Sequence, residues 1–229
     1  MKHSICAVFD IDDTLYLERD YVRSGFEAAG RWAAKWIPIG DFAEQCWRRF
    51  AAGQRGSIFD EVLRESGRKA NPELVAALVE VYRTHTPSIA LAPDAAEALE
   101  AISRVASIAV ITDGPAASQS RKAEALGLSA LAAPIVLTEV LGSEFRKPHP
   151  RAFQQIEDSR PARAYLYIAD NPLKDFAAPQ QLGWITVRVR RPDGLHYMVE
   201  NPQIAPDREM GDCSGLAEML AQMLRRNRQ

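Results

Sequence analysis

The sequence predicts an α/β protein in which a doubly wound, mainly parallel sheet is interrupted by an inserted all-helical unit. Short apolar runs that end in polar residues alternate with amphipathic helical patterns along most of the chain, and this alternation is typical of a parallel sheet covered by helices. One stretch, residues 16–90, breaks the alternation because it contains helical patterns and no clear strand. We therefore expect a core formed by residues 1–15 and 91–229 and a separate helical unit formed by residues 16–90.

Five apolar runs are predicted to form the strands of the core. They are residues 5–9, 107–111, 134–137, 164–168 and 184–189. Nearly continuous apolar runs of this length are expected when both faces of a parallel sheet are buried. The first run ends in Asp10 and the second in Thr112, so polar side chains collect at the carboxyl ends of the strands, where a Rossmann-like fold binds its ligands.

Helical patterns lie between these runs and identify the helices of the core. Helices are predicted over residues 95–102, 116–126 and 173–182. Asp94 and Glu97 have the spacing of a capping box at the start of the first helix. Gly127 and Gly183 follow the other two helices, and glycine at that position is typical of a helix C-terminus.

The helical unit contains four apolar stripes at helical spacing, and core packing explains their aromatic residues more simply than ligand contact does. After the last predicted strand, the segment 190–212 is rich in Pro, Asp and Gly and is predicted to be loop. A final amphipathic helix follows this segment. Its apolar face consists of Leu216, Met219, Leu220, Met223 and Leu224.

The composition of the 229-residue chain is that of an ordinary globular protein, with 47% hydrophobic and 25% charged residues. The 28 basic side chains nearly balance the 30 acidic ones, and the net charge of -2 provides no basic field to hold nucleic acid. No apolar run approaches the roughly 20 residues that a membrane helix requires, and the first residues lack the pattern of a signal peptide. We therefore expect a cytoplasmic protein with neither a nucleic-acid nor a membrane partner.

The three cysteines, Cys6, Cys46 and Cys213, are too widely spaced to indicate a zinc cluster or a disulfide framework. Cys6 lies in an apolar run and Cys46 on an apolar helical stripe, where a free thiol behaves as a small hydrophobic side chain. We interpret all three as packing residues, with a nucleophilic cysteine as the less favoured alternative.

The sequence after the first strand, Asp10-Ile11-Asp12-Asp13-Thr14, supplies three carboxylates and a hydroxyl. Taken alone, such a segment is explained by turn formation. The other strand ends change this interpretation, because they add a hydroxyl, a lysine and a spaced pair of acids that can converge on one site. These residues are Thr112, Lys147, Asp170 and Asp175.

Together these motifs resemble the haloacid dehalogenase superfamily, whose phosphatase members carry D-x-D-x-T, a strand ending in Thr or Ser, a Lys, and a terminal acidic motif. All four motifs occur in this order within residues 5–189. Ala169 departs from the pattern, because many relatives have Gly before the acidic residue that corresponds to Asp170. By the same resemblance, a helical unit between the first and second motifs is expected to be a cap.

The resemblance implies specific roles in phosphoryl transfer. Asp10 is expected to attack phosphorus and form an aspartyl-phosphate. Asp12 is expected to protonate the leaving oxygen and then to deprotonate the attacking water. The phosphate is expected to be held by Thr112, Asp113, Gly114 and Lys147, and Lys147 is also expected to neutralise charge during transfer.

The resemblance also implies that Mg²⁺ is the cofactor. Its ligands are expected to be the carboxylates of Asp10 and Asp170 and the main-chain carbonyl of Asp12, because Mg²⁺ prefers hard oxygen ligands. Thr14 and Asp175 are expected to act through a bound water or to orient the ligands.

The function that these features favour is a Mg²⁺-dependent phosphatase acting on a small phosphorylated metabolite, with sugar phosphates among the candidates. A phosphomutase would use Asp10 and Asp12 in the same way, and the sequence barely separates the two activities. A haloacid dehalogenase is less favoured, because it needs no acid at Asp12 to protonate an alkoxide. A catalytically silent phosphoaspartate or binding module is a further alternative, although no motif residue is missing. The sequence leaves the substrate and the oligomeric state open.

Overall fold

The computed structural model describes residues 4–37 and 39–226, and it contains a six-stranded parallel sheet. The strands are β1 (Ile5–Phe9), β2 (Ser107–Thr112), β3 (Ile135–Leu137), β4 (Ala164–Ala169), β5 (Ile185–Val189) and β6 (Arg208–Met210). Their order across the sheet is β3-β2-β1-β4-β5-β6, and each neighbouring pair is parallel. This is the strand order of a Rossmann-like fold, so the predicted fold class is confirmed.

The helices fall into an inserted group and a core group. The inserted helices are α1 (Glu18–Trp36), α2 (Phe42–Ala51), α3 (Ile58–Glu65) and α4 (Pro72–Thr84). The core helices are α5 (Pro93–Ser103), α6 (Ala116–Ala125), α7 (Thr138–Leu141), α8 (Arg151–Ser159), α9 (Ala177–Gln181) and α10 (Leu216–Arg226). Short 3-10 turns occupy Leu128–Ala130 and Ser143–Phe145.

The centre of the sheet is buried on both faces. All five residues of β1 are inaccessible to solvent, and since successive side chains of a strand point to opposite faces, both faces must be covered. One of the resulting clusters contains Phe153 of α8, whose ring packs edge-on against Tyr167 of β4 and against Trp184. This packing anchors the strand that carries the terminal acidic motif.

The chain divides into two compact units. One contains the described residues up to Glu18 and from Ala90 onward, and the other is Arg19–Ile89. Inside the second unit, the ring of Phe26 packs against the rings of Phe50, Phe59 and Tyr82. These aromatic side chains therefore form the internal core of the helical unit. Trp36, which belongs to the first of the four stripes, is instead 70% exposed.

Several predicted elements differ in the structure. The helix predicted over 173–182 is reduced to α9, because the carboxylate of Asp175 accepts a hydrogen bond from the amide of Asn171 and holds the preceding residues in a turn. The segment 190–212 contains strand β6, and two short helices, α7 and α8, were not predicted. The missed elements have three to nine residues, too few for their periodicity to stand out.

The predicted capping box is wrong. Helix α5 begins at Pro93 without a side-chain cap. The carboxylate of Asp94 instead accepts two hydrogen bonds from Arg191, at 3.0 and 2.7 Å, and one from the amide of Cys213. Arg191 also donates to the carbonyl of Thr14 at 2.9 and 3.1 Å. This buried arginine therefore ties the loop after β1 to α5 and to the segment before α10.

All three cysteines are buried. Burial raises the pKa of the Cys46 and Cys213 thiols to about 12 and also raises the pKa of Cys6, so none is poised as a thiolate nucleophile. Across residues 4–37 and 39–226, no helix combines the length and the apolar character that a membrane crossing demands.

We predict that Asp94→Ala lowers the free energy of unfolding by about 3 kcal/mol, because it leaves the buried guanidinium of Arg191 without its counter-charge. Glu100→Ala on the same helix is the matched control. Among the described residues Glu100 forms an exposed ion pair with Arg104 in the i,i+4 position, and such exposed pairs contribute little. Urea unfolding of both variants measures the difference, and an equal effect would contradict the role of Asp94.

We also predict that the stabilisation by Asp94 disappears in acid. Burial raises the pKa of this carboxyl, but the hydrogen bonds from Arg191 and Cys213 outweigh burial and leave the pKa below its usual value. Since the folded pKa lies below the unfolded value of about 3.9, the stabilisation is present above that value and is lost as the pH falls through the folded pKa. The stability difference between wild type and Asp94→Asn should therefore narrow below about pH 4.

Candidate active site

The candidate active site lies at the carboxyl edge of the sheet, where β1, β2 and β4 end side by side. Phe9, the last residue of β1, is in register with Ile168 of β4, and the amide of Asp10 donates to the carbonyl of Ile168 at 2.9 Å. Asp10 after β1, Thr112 at the end of β2 and Asp170 after β4 therefore emerge from adjacent strands.

A single buried lysine joins these strand ends. The Nζ of Lys147 lies 3.1 Å from Oδ1 of Asp10 and 2.7 Å from Oδ1 of Asp175. It also donates to the hydroxyl of Tyr167 at 3.0 Å. Burial would lower the pKa of Lys147, but the two carboxylates raise it well above its usual value. Lys147 is therefore a fixed positive charge in contact with the first motif and the last.

Three buried carboxylates surround this charge and form a potential cation site. One oxygen each from Asp10, Asp170 and Asp175 can be chosen so that all lie within 4.8 Å of one another. Burial raises the pKa of Asp10 to about 6 and that of Asp170 to about 8. Ionisation of all three acids beside one lysine would leave excess negative charge, and an all-oxygen donor set suits a hard cation such as Mg²⁺. The donor chemistry therefore fits the predicted cofactor.

The carboxylate of Asp170 is oriented by a histidine from the segment after β5. Nδ1 of His196 lies 2.8 Å from Oδ2 of Asp170, and its Nε2 lies 3.0 Å from Nδ2 of Asn171. The amide of Leu173 donates to Oδ1 of Asn171, so the NH₂ group of Asn171 faces the ring. Nε2 of His196 is then the acceptor, and Nδ1–H donates to Asp170.

The carboxylate of Asp12 is held by donors from α6 and from the loop itself. Nζ of Lys122 lies 2.7 and 2.8 Å from its two oxygens, and Nε2 of Gln119 donates to Oδ2 at 2.9 Å. The hydroxyl of Tyr16 donates to Oδ1. Burial raises the pKa of Asp12, but Lys122 and the other donors outweigh burial and lower it below its usual value. Asp12 is thus an ionised carboxylate in this structure.

The residues predicted to hold phosphate lie at the end of β2. The buried hydroxyl of Thr112 donates to Oε1 of Gln119 at 2.9 Å. The carboxylate of Asp113 accepts from the hydroxyl of Thr138 and from the amide of Lys147, and it lies 3.6 Å from Nζ of Lys174. The side chain of Asp113 is therefore occupied within the protein, which leaves its amide as the group available to a phosphate.

Asp13 and Thr14 shape the loop after β1. Asp13 adopts a left-handed backbone conformation, φ 51°, which aspartate tolerates better than most residues. Its carboxylate accepts from the amides of Glu18 and Leu195 at 2.8 and 2.7 Å. The hydroxyl oxygen of Thr14 is buried and has no hydrogen-bond partner among the described residues. An unpaired buried hydroxyl next to an acidic cluster suits the water-mediated role predicted for Thr14.

The structure brings the predicted residues of all four motifs to one edge of the sheet. Asp13, from the first motif, had been assigned no role of its own. Five further residues at this edge were not predicted, and these are Tyr16, Gln119, Lys122, Tyr167 and His196. Gln119 and Lys122 carried one signal, because they lie three residues apart and therefore on one face of the predicted helix α6. His196 carried none, since it lies in an irregular segment without periodicity.

Comparison with known proteins gives a family and two relatives. A family model described as haloacid dehalogenase-like hydrolase matches residues 6–183. A glyceraldehyde 3-phosphate phosphatase from Methanopyrus kandleri is 29% identical over 224 residues, which is 89% of this chain and 91% of that protein. A second glyceraldehyde 3-phosphate phosphatase, from Methanocaldococcus jannaschii, is 27% identical over 197 residues and covers 80% of this chain and 83% of that protein.

Solved structures of the same superfamily share the fold. The magnesium-bound HAD-hydrolase YfnB from Bacillus subtilis superposes with a TM-score of 0.69 at 20% identity, covering 96% of this chain and 99% of that one. A 2-haloacid dehalogenase from Pseudomonas syringae gives a TM-score of 0.64 at 23% identity, covering 97% of this chain and all of that one. At these identities the likeness establishes the fold alone.

We predict that Lys147→Met lowers the free energy of unfolding by about 3 to 5 kcal/mol in metal-free protein, because it removes the counter-charge of two buried carboxylates. Lys174→Met is the matched control. Lys174 is 31% exposed and lies 3.6 Å from its carboxylate partner, so its loss should change stability by no more than about 1 kcal/mol. Chemical denaturation in chelator tests the pair, and similar effects would show that Lys147 does not hold the cluster.

Proposed function

The chain belongs to the haloacid dehalogenase-like hydrolases, and we propose that it is a Mg²⁺-dependent phosphatase of a small sugar phosphate that acts through an aspartyl-phosphate. The observation that carries the proposal is the pair of carboxylates on Asp10 and Asp12. Asp10 contacts Lys147 in the acidic cluster, whereas Asp12 is held separately by Lys122. A nucleophile and an acid–base group are what phosphate-ester hydrolysis requires, and dehalogenation does not need the second.

The curated relatives support the substrate class. Both carry the name glyceraldehyde 3-phosphate phosphatase and match this chain over most of its length. Together with the match to a hydrolase family, these names are consistent with a phosphoric monoester hydrolase. A triose phosphate is small and anionic, which suits a site that contains the buried lysines Lys122 and Lys147. We therefore propose a short-chain phosphorylated sugar as the substrate and the helical unit Arg19–Ile89 as the cap.

The first half of the proposed reaction transfers the phosphoryl group to the protein. A carboxylate oxygen of Asp10 forms a bond to phosphorus while the bond between phosphorus and the sugar oxygen breaks. Phosphate monoesters carry a proton with a pKa near 6, so a monoanionic substrate can bring in the proton that Asp12 hands to the leaving oxygen. Lys147 offsets the repulsion between Asp10 and the phosphate.

The second half releases inorganic phosphate. Asp12, again a carboxylate, removes a proton from the water that attacks phosphorus, and the bond between phosphorus and Asp10 breaks. Asp12 then passes this proton to the departing phosphate and returns to its ionised state. The amide of Asp113 lies at the end of β2, where donors to the phosphoryl oxygens are needed. Mg²⁺ held by Asp10, Asp170 and the main-chain carbonyl of Asp12 would supply positive charge to the phosphoryl oxygens when bound. His196 and Asp175 would keep these carboxylates oriented.

We predict that the wild-type protein releases phosphate from triose phosphates and from a generic aryl phosphate, and that Asp10→Asn abolishes release. Asp12→Asn should reduce release by about 100- to 10,000-fold, the usual contribution of an acid–base group. Asp158→Asn, an exposed aspartate on α8, is the control and should match wild type. Transfer of the phosphoryl group back to substrate without free phosphate would establish the mutase instead. Halide release from haloacids without phosphate release would establish a dehalogenase.

We predict that Mg²⁺ raises the melting temperature of wild type by several degrees, because a ligand at about 100 times its dissociation constant adds roughly 2.7 kcal/mol to the folded state. Asp170→Asn should lose this increase, since it removes one of the three clustered carboxylates, whereas Asp158→Asn should retain it. Thermal melts with Mg²⁺ and with chelator report binding independently of activity. An increase that survives Asp170→Asn would place the cation elsewhere.

A further inference from the structure

Helix α6 presents two side chains to the acid–base group that none of the four sequence motifs contains. Gln119 and Lys122 are three residues apart, so they lie on one face of the helix. Both are almost fully buried, with 2% and 3% of their surface exposed. A buried lysine and a buried glutamine on a ten-residue helix are unusual, and both direct their polar ends at Asp12.

The contacts saturate the carboxylate of Asp12. Oδ1 accepts from Tyr16 and Lys122, and Oδ2 accepts from Gln119 and Lys122. A carboxylate offers about four lone-pair sites, and four donor contacts reach it here, so Asp12 takes up a proton by giving up one of these contacts. The side chain is therefore fixed in position as well as neutralised, and it cannot rotate without breaking contacts to α6.

Gln119 also connects Asp12 to the phosphate side of the site. An ionised carboxylate can only accept, so the NH₂ group of Gln119 must face Asp12 and its Oε1 must face Thr112. The hydroxyl of Thr112 is then the donor in the 2.9 Å contact with Gln119. Nε2 of Gln119 additionally reaches the carbonyl of Asp113 at 3.3 Å. One amide thus sets the position of Asp12 and the orientation of the Thr112 hydroxyl.

The backbone makes room for this glutamine. Gly114 has a φ of +146°, and a Cβ added there would lie 2.8 Å from Nε2 of Gln119. Any side chain at this position would therefore push Gln119 away from Asp12. Glycine is therefore favoured at position 114 both by the backbone conformation and by the space that Gln119 needs.

We propose that Gln119 and Lys122 are positioning residues that hold Asp12 and Thr112 as one unit, so that the acid–base carboxylate keeps a fixed position relative to the end of β2. The proposal rests on the proposed phosphatase function, because it assigns these residues an effect on turnover through Asp12. Lys122 also lies in the electrostatic field of Glu18, so its effect through Asp12 must be separated from other effects of its charge.

A double-mutant cycle makes this separation, because residues that act as a unit lose activity non-additively. In the wild-type background, Lys122→Met should reduce kcat for an aryl phosphate by about 10- to 100-fold, part of the full acid–base contribution, with KM changed less than about 3-fold. In the Asp12→Asn background, the same substitution should cause less than about a 3-fold further loss. Lys122→Arg should restore most of the activity, since it can donate to both carboxylate oxygens.

Arg121→Met is the matched control. It removes a positive charge from the neighbouring position of α6, which is rotated by about 100° around the helix, and it should change kcat less than about 2-fold in both backgrounds. An equal loss from Lys122→Met in both backgrounds would overturn the proposal. A raised KM with unchanged kcat would also overturn it, because Lys122 would then bind substrate directly.

Two further measurements keep the test decisive. Circular dichroism shows whether Lys122→Met folds. If it does not, a second cycle combines Gln119→Leu with Thr112→Ala. We expect the losses of activity in this cycle to be non-additive as well, and additive losses would overturn the proposal. Asp10→Asn tests the underlying function separately. Activity that survives Asp10→Asn would overturn the aspartyl-phosphate reaction, whereas an inactive Asp10→Asn variant with an additive Lys122–Asp12 cycle would overturn only the positioning role.

Discussion

The candidate site depends on the contact between the ammonium of Lys147 and the carboxylates of Asp10 and Asp175. These groups are buried, and unpaired charges are too costly to keep inside a protein. The lysine therefore must pair with the acids, and the pairing fixes the loop after β4 against the loop after β1. A single lysine cannot balance three ionised carboxylates, and burial keeps the pKa of Asp170 at about 8. A divalent cation would supply the charge that allows all three to ionise.

The parallel sheet explains why this cluster forms where it does. In the order β3-β2-β1-β4-β5-β6, the chain runs from β1 to β2 in one direction across the sheet and from β4 to β5 in the other. The neighbouring strands β1 and β4 therefore lie at the point where the winding reverses. Asp10 and Asp170 follow the two strands that border this point, so topology rather than sequence proximity brings the two carboxyl groups together.

The motif-bearing parts of this architecture could be predicted from the sequence, because strands ending in Asp10, Thr112 and Asp170 leave a local signal. The partners of those residues could not. Arg191 reaches Asp94 and Thr14 from 97 or more positions away in the chain, and such contacts have no periodicity. Asp94 is an example. Its spacing to Glu97 predicted a capping box, but its carboxylate instead pairs with Arg191, which is distant in the sequence. Local patterns predict elements, whereas long-range charge pairing becomes visible only in the fold.

The two carboxylates of the first motif show how environment divides their roles. Asp10 and Asp12 are both taken from water, yet burial raises the pKa of Asp10 to about 6, whereas the donors from α6 and Tyr16 lower that of Asp12. Asp10 shares its one lysine with Asp175, and Asp12 receives contacts at both oxygens. The donors that α6 supplies to Asp12 have no counterpart at Asp10 among the described residues, so the two carboxyl groups of one motif lie in different electrostatic environments. The strand places these two residues together, and helix α6 makes them chemically different.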